Sequence, residues 1–209
     1  MAIHILGNGP SISAFDRDSW PASDVFVGCN FSDPALKPDF VSLIDVSAIK
    51  AYLQGHLPAA PVVLSDRALE YADSVSSDWR DRGIEVEAVM YLIRDPSISK
   101  DLAMNSAQHG VMYSVLAYSD HSEIHLWGID SFWTDDMESS TDRIARPESR
   151  GRRVRPQITR SWRRYWSKIF KEYPEHRFFI HEPSGVAVED ITAKTVIADH
   201  TNVEVMNHE

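Results

Sequence analysis

The 209-residue chain is predicted to fold as an α/β protein with a Rossmann-like, doubly wound, mostly parallel sheet and a polar lid segment. Three observations lead there. Short apolar runs alternate with helical patterns along most of the chain. Several of those runs end on glycine or a small polar residue. The first run, Ile3–Leu6, breaks at Gly7-Asn8-Gly9-Pro10-Ser11 and so joins a strand to a glycine-flanked turn.

The elements follow in order. Ile3–Leu6 reads as the first strand, and Pro10 and Ser11 suit the first turn of a helix. Asp24–Cys29 is a second buried strand ending at Asn30, and Phe40–Ile44 a third ending at Asp45. Val62–Leu64 is a short fourth strand, Arg67 to about Trp79 a helix, and Ile84–Tyr91 a further apolar run. Asn105 to about Tyr118 carries Val111, Val115 and Leu116 on one helical face. Glu123–Gly128 is a strand running into Ile129-Asp130. Residues 131–158 are polar and lack apolar periodicity, which fits a lid or insertion in a single domain spanning 1–209. Helical order returns near Thr159 with Trp162, Trp166, Ile169 and Phe170 on one face, and Phe178–Ile180 is a late strand.

In a parallel sheet with right-handed crossovers, all strand carboxyl ends share one edge, where ligands bind. The residues expected there are Gly7, Asn8, Gly9, Asn30, Asp45 and Gly128 to Asp130. Glycines at 7 and 9 permit close backbone approach, and a helix amino end at Pro10-Ser11 would direct free N–H groups at a phosphate. The spacing is neither a dinucleotide fingerprint nor a P-loop, and a ligand-free tight turn is the plain alternative. Asn30 suits a ligand hydroxyl or a turn. Asp45 suits a ribose hydroxyl, Mg²⁺ or the N-cap of a helix beginning near Val46. Ser106 suits the N-cap of its helix. His109, one turn later, suits proton transfer or a structural role. His121 and His125 lack the spacing of a zinc site, and no metal site is assigned.

Charge is segregated. The net charge is −10, yet residues 143–171 hold eleven basic residues against Glu148 alone. Arg143, Arg146, Arg152, Arg153 and Arg155 could close over a phosphate or carboxylate, or form a solvated basic face. The acidic remainder and the lack of interleaved aromatics argue against nucleic acid. The neighbouring Asp135, Asp136, Glu138 and Asp142 suit Mg²⁺ or pairing with these arginines. One cysteine, no leader-like segment and no apolar run long enough for a membrane span predict a soluble, cytoplasmic protein.

The blocks Ile5–Ser11, Asp24-Val25-Phe26, Cys29-Asn30-Phe31, His109–Tyr113 and Glu123–Asp130 together resemble the nucleotide site of bacterial sialyltransferases of glycosyltransferase family 42. The same blocks occur in motility-accessory-factor and pterin pyrophosphokinase-like proteins. The resemblance covers about the first 130 residues. It implies a transferase that binds a nucleotide-activated sugar, with a CMP-linked acidic sugar favoured, and needs no cofactor beyond that donor. Gly7, Asn8, Gly9 and Ser11 match its phosphate and ribose loop, and Asn30 matches the asparagine near the donor sugar. His109 takes the place of a donor-site serine, Gly110 matches the glycine after it, and Phe132 and Trp133 fall near the tyrosine that follows the family's Gly-Ile-Asp.

The family's lid histidine has no counterpart, since no histidine lies between His125 and His176. His109 or Asp45 would then be the base, with lid arginines such as Arg143 and Arg153 at the leaving phosphate. The alternatives are a Mg²⁺-dependent phosphotransferase, or a binding protein without turnover. A glycan or other acceptor and a homo-oligomer are left open.

Overall fold

Apolar runs of four or five residues flanked by turn formers leave no room for helix, and in the computed structural model they become eight parallel strands. The structure describes residues 1–56, 58–90, 104–135, 156–182 and 196–208. The strands are β1 (Ala2–Leu6), β2 (Val25–Cys29), β3 (Phe40–Leu43), β4 (Val62–Ser65), β5 (Val86–Met90), β6 (Glu123–Trp127), β7 (Arg177–His181) and β8 (Val203–Met206). They form one sheet in the order β5-β4-β3-β2-β1-β6-β7-β8, with every pair parallel. From β1 the chain winds outward through β2 to β5, then crosses back to place β6 on the other side of β1. The carboxyl ends of β1 and β6 therefore flank the topological switch point, where open α/β sheets form a crevice.

Alternating side chains divide between two layers. On one face Ile3, Ile5, Val25, Val27, Ile124, Leu126, Phe178 and Ile180 pack with α3 (Ser106–Ala117) and the helix we number α4 (Pro156–Glu172). On the other, Val41, Leu43, Val62 and Leu64 pack with α1 (Val46–Leu53) and α2 (Asp66–Val75). Burial on both faces explains why these strands read as continuous apolar runs. Among the described residues no helix is long and apolar enough to cross a membrane.

Several expectations change. After β1 there is no α-helix. The chain makes 3-10 turns at Pro10–Ala14 and Arg17–Ser19, and Phe15 and Trp20 fold over Phe26 and Trp127. A single short turn carries little macrodipole, so the helix-end half of the expected phosphate site is lost. α2 ends at Val75 because Ser76 is extended, and Trp79 sits in a separate 3-10 turn with its indole N–H donating to Asp73. Asn105, not Ser106, caps α3, in a reciprocal capping box with Gln108. The edge strand β8 has only four residues, too few for its alternation to mark it in the sequence.

The segment 131–158, expected as a lid or insertion, is described only at its two ends. Residues 131–135 belong to the body of the fold and α4 begins at Pro156, while 136–155, including Arg143 and Arg153, lie outside the described residues. Arg163, one of the eleven basic residues of 143–171, is 2% exposed. Its guanidinium donates to Ser131 O at 2.7 Å and pairs with Asp135, which also accepts from Arg160 at 3.1 Å. This pairing ties α4 to the loop after β6. Arg163→Ala would leave the Ser131 carbonyl without its donor while Asp135 keeps Arg160 and Thr159, so a loss of about 1–3 kcal/mol is expected in denaturant unfolding. A change under about 0.5 kcal/mol would place the tie elsewhere.

Candidate functional site

The carboxyl ends of β1, β2, β3 and β6 gather most of the residues expected at the edge. Gly7 and Gly128 face each other at the switch point. Gly7 N–H donates to Trp127 O at 2.8 Å, and Gly9 N–H to Gly128 O at 2.9 Å. A Cβ on Gly7 would stand 2.4 Å from Gly128 O, and Gly128 itself adopts φ +63°. Glycine is required at both places by backbone-to-backbone contact.

Asp130 fills the glycine turn. Its carboxylate accepts from the Ser11 hydroxyl and lies against Gly9, whose added Cβ would meet the carboxyl carbon at 2.4 Å. Burial pushes the Asp130 carboxyl up, and hydrogen bonds from the Ser11 hydroxyl and amide oppose that shift. An internal carboxylate thus holds the place expected for a phosphate, and a second anion there would meet like-charge repulsion. Pro10 contributes the first residue of the 3-10 turn.

One strand over, Asn8 donates from Nδ2 to Cys29 O at 2.6 Å, fastening the turn to the end of β2. Asn30 follows with φ +50°, a left-handed conformation that asparagine tolerates. Its Nδ2 donates to Asp45 Oδ2 at 2.6 Å, its N–H to Ser42 O at 2.9 Å, and its carbonyl accepts from Tyr52. Asp45 stands at the N-cap of α1 without making the side-chain cap bond. Asn30 is 6% exposed, and its Oδ1 has no hydrogen-bond partner. The Ser32 hydroxyl nearby in sequence is also buried and unpartnered.

His109 lies beneath this edge. Its Nδ1 is 2.8 Å from Ser42 Oγ, which itself donates to Ser106 O at 2.6 Å. Ser42 has one proton to give, so the ring supplies the other from Nδ1, leaving Nε2 as a buried lone pair. Burial holds the imidazole down at about 4, outweighing the Met90 backbone and the Asp66 carboxylate, both of which favour the protonated form. The ring is neutral near pH 7 and a weak base. Ser42 joins His109 to Asn30, its side chain bonding one and its backbone the other. No sequence pattern marked Ser42, Tyr52 or Ser32, because their surroundings are set by segments distant along the chain or by burial.

Gly110, Ser106 and Trp133 are buried. Gly110 lets α3 approach the sheet, since a Cβ there would lie 3.0 Å from Val27 and 3.3 Å from Ser42. Ser106 is buried beside Ser42, and Trp133 is 7% exposed in the core near Phe132 and Trp166. For Mg²⁺, Asp45, Asp130 and Asp135 are engaged by Asn30, Ser11 and Arg163 respectively. Among the described residues no group of three or more His, Cys, Asp or Glu is placed to hold a metal ion. His121 pairs with Asp120 in a turn, away from His125 in β6. Compared with protein-family models, curated proteins and solved structures, the chain matches none.

Proposed function

We propose that this protein binds a nucleotide-activated sugar along the carboxyl edge of β1 to β3 and acts as a glycosyltransferase, with a CMP-linked acidic sugar the favoured donor. The observation that carries this reading is Asn30. Its backbone is held left-handed, its amide N–H is committed to Asp45, and a buried Oδ1 is left without a donor. A buried acceptor without a partner costs about 1–3 kcal/mol, which a ribose or sugar hydroxyl, or a base amino group, would recover. Asp130 in the glycine turn requires the donor's phosphate to lie away from Ser11. A second reading, binding without turnover, is favoured by the burial and low basicity of His109.

The test is a thermal-shift screen of nucleotides and nucleotide sugars with and without Mg²⁺. At a hundredfold excess over Kd, binding adds about 2.7 kcal/mol. In a domain of this size that raises Tm by about 5–10 °C. Asn30→Ala is expected to weaken the ligand at least tenfold in calorimetry. No shift with any nucleotide or nucleotide sugar would refute the proposal. Transfer with CMP sugars, against binding alone, separates its two forms.

A further inference from the structure

The described part of the basic run 143–171 lies on α4 and takes no part in the candidate site. Arg160, Arg164, Lys168 and Lys171 are all exposed. At about 100° per residue, their spacing places them within about 80° of the helix circumference. They follow one another at intervals of about 5–6 Å and span about 16 Å along the axis. The other side of the helix is packed, with Thr159, Arg163, Trp166 and Phe170 buried. Packing of that side fixes the direction of the row on the surface.

We propose that this face of α4 binds a linear acidic polysaccharide laid along the helix axis. Three properties of the face select that partner. The first is shape, since a straight row one residue wide suits a thin chain with a charge every few ångströms. Guanidinium groups take carboxylates through paired N–H donors, and lysine adds point charges.

The second property is the acidic surround. The chain has a net charge of −10 although residues 143–171 are strongly basic. At one end of the row Asp135 accepts from Arg160 at 3.1 Å. At the other, Glu172 and Glu175 are exposed, and Asp199, like Lys171, acts on His200. Such a field draws a polyanion to the row and repels it elsewhere. A nucleic-acid duplex or a lipid surface is wider than the row and would press its other charges against those carboxylates.

The third property is the lack of rings. Tyr165 and Trp166 are buried, and Trp162 falls on the opposite side of the helix from Arg160. Among the described residues of the exposed face none is aromatic. A single-stranded nucleic acid would meet charge there without a surface on which to stack its bases. An acidic sugar chain has no such requirement.

The row starts beside the carboxyl edge of the sheet, where Arg163 holds the loop after β6 through Ser131 O and Asp135. A sugar chain lying on the row therefore presents one end at the edge that carries Asn30. An acceptor role for that end rests on the function proposed above, whereas binding along α4 does not.

Fluorescence anisotropy of the full chain with a labelled polygalacturonate octasaccharide, without nucleotide, tests the surface. Raising the salt from about 50 to about 200 mM is expected to weaken binding about tenfold. Arg164→Gln combined with Lys171→Gln should weaken it by a similar factor and roughly halve the slope of log affinity against log salt. Lys50→Gln combined with Arg67→Gln, at exposed positions on α1 and α2, should change affinity less than about twofold. Both double variants alter exposed side chains and should melt within about 2 °C of the unmodified chain. No binding, binding indifferent to salt, or an equal loss in the two double variants overturns the proposal. Tighter binding of a short oligothymidylate or of phosphatidylserine vesicles under the same conditions also overturns it. Octasaccharide binding by a chain that no nucleotide or nucleotide sugar stabilises would uphold this surface and refute the transfer reading alone.

Discussion

Lowering the pH from 7.5 to 5.5 is expected to remove about 5 kcal/mol of folding stability. His4, His109, His125 and His181 are all nearly inaccessible, at 0%, 1%, 6% and 4% exposure. Burial pulls them down from the ordinary 6.5 to about 4, 4, 3 and 2. The unfolded chain therefore binds protons that the native chain refuses. The contribution is fully present above the unfolded value, declines as pH falls below 6.5, and keeps declining until each folded value is reached. One pH unit below 6.5 each ring forfeits about 1.4 kcal/mol, and four together approach the whole stability of a typical domain. Denaturant unfolding at intervals of half a pH unit gives the proton uptake as a slope, which should approach four between pH 6 and 5. A slope below one would mean that these rings are not buried neutral.

The second large effect concerns the switch point. Gly128→Ala is expected to destabilise the fold by more than about 3 kcal/mol, through two additive faults. The residue sits at φ +63°, which costs an L side chain about 1–2 kcal/mol. Its Cβ would also stand 2.7 Å from Gly7 O, a backbone atom that cannot swing aside. Gly7→Ala has the collision without the dihedral fault, at 2.4 Å from Gly128 O. Gly55→Ala has the dihedral fault alone, with φ +105° and nothing within 4 Å. Unfolding midpoints should fall most for Gly128→Ala, then Gly7→Ala, then Gly55→Ala. If Gly55→Ala costs as much as Gly128→Ala, the contact between the β1 and β6 loops is not what demands glycine.

The glycine turn shows that a local motif does not name the side chains that reach it from far along the chain. Gly7 to Ser11 has the backbone for an anion, and the structure supplies one from Asp130, a residue 119 positions beyond Ser11. Asn30 and Asp45 were each ambiguous between ligand contact and local capping. The structure joins them to each other, leaving the N-cap bond of α1 unmade and Asn30 Oδ1 unpartnered. Arg163 belonged to a basic run by sequence, yet helix geometry turns it inward to Asp135.

The chain by itself determined the alternation of strand and helix, the parallel class and the edge on which the polar strand ends collect. Those properties follow from side-chain periodicity and short-range turn chemistry, which a linear pattern records. Only tertiary structure decided that Asp130 occupies the glycine turn, that Ser42 couples His109 to Asn30, and that four histidines from separate segments share one sheet face. Such contacts arise from strand order and register, and a one-residue slip in any strand would send its ring to the opposite layer.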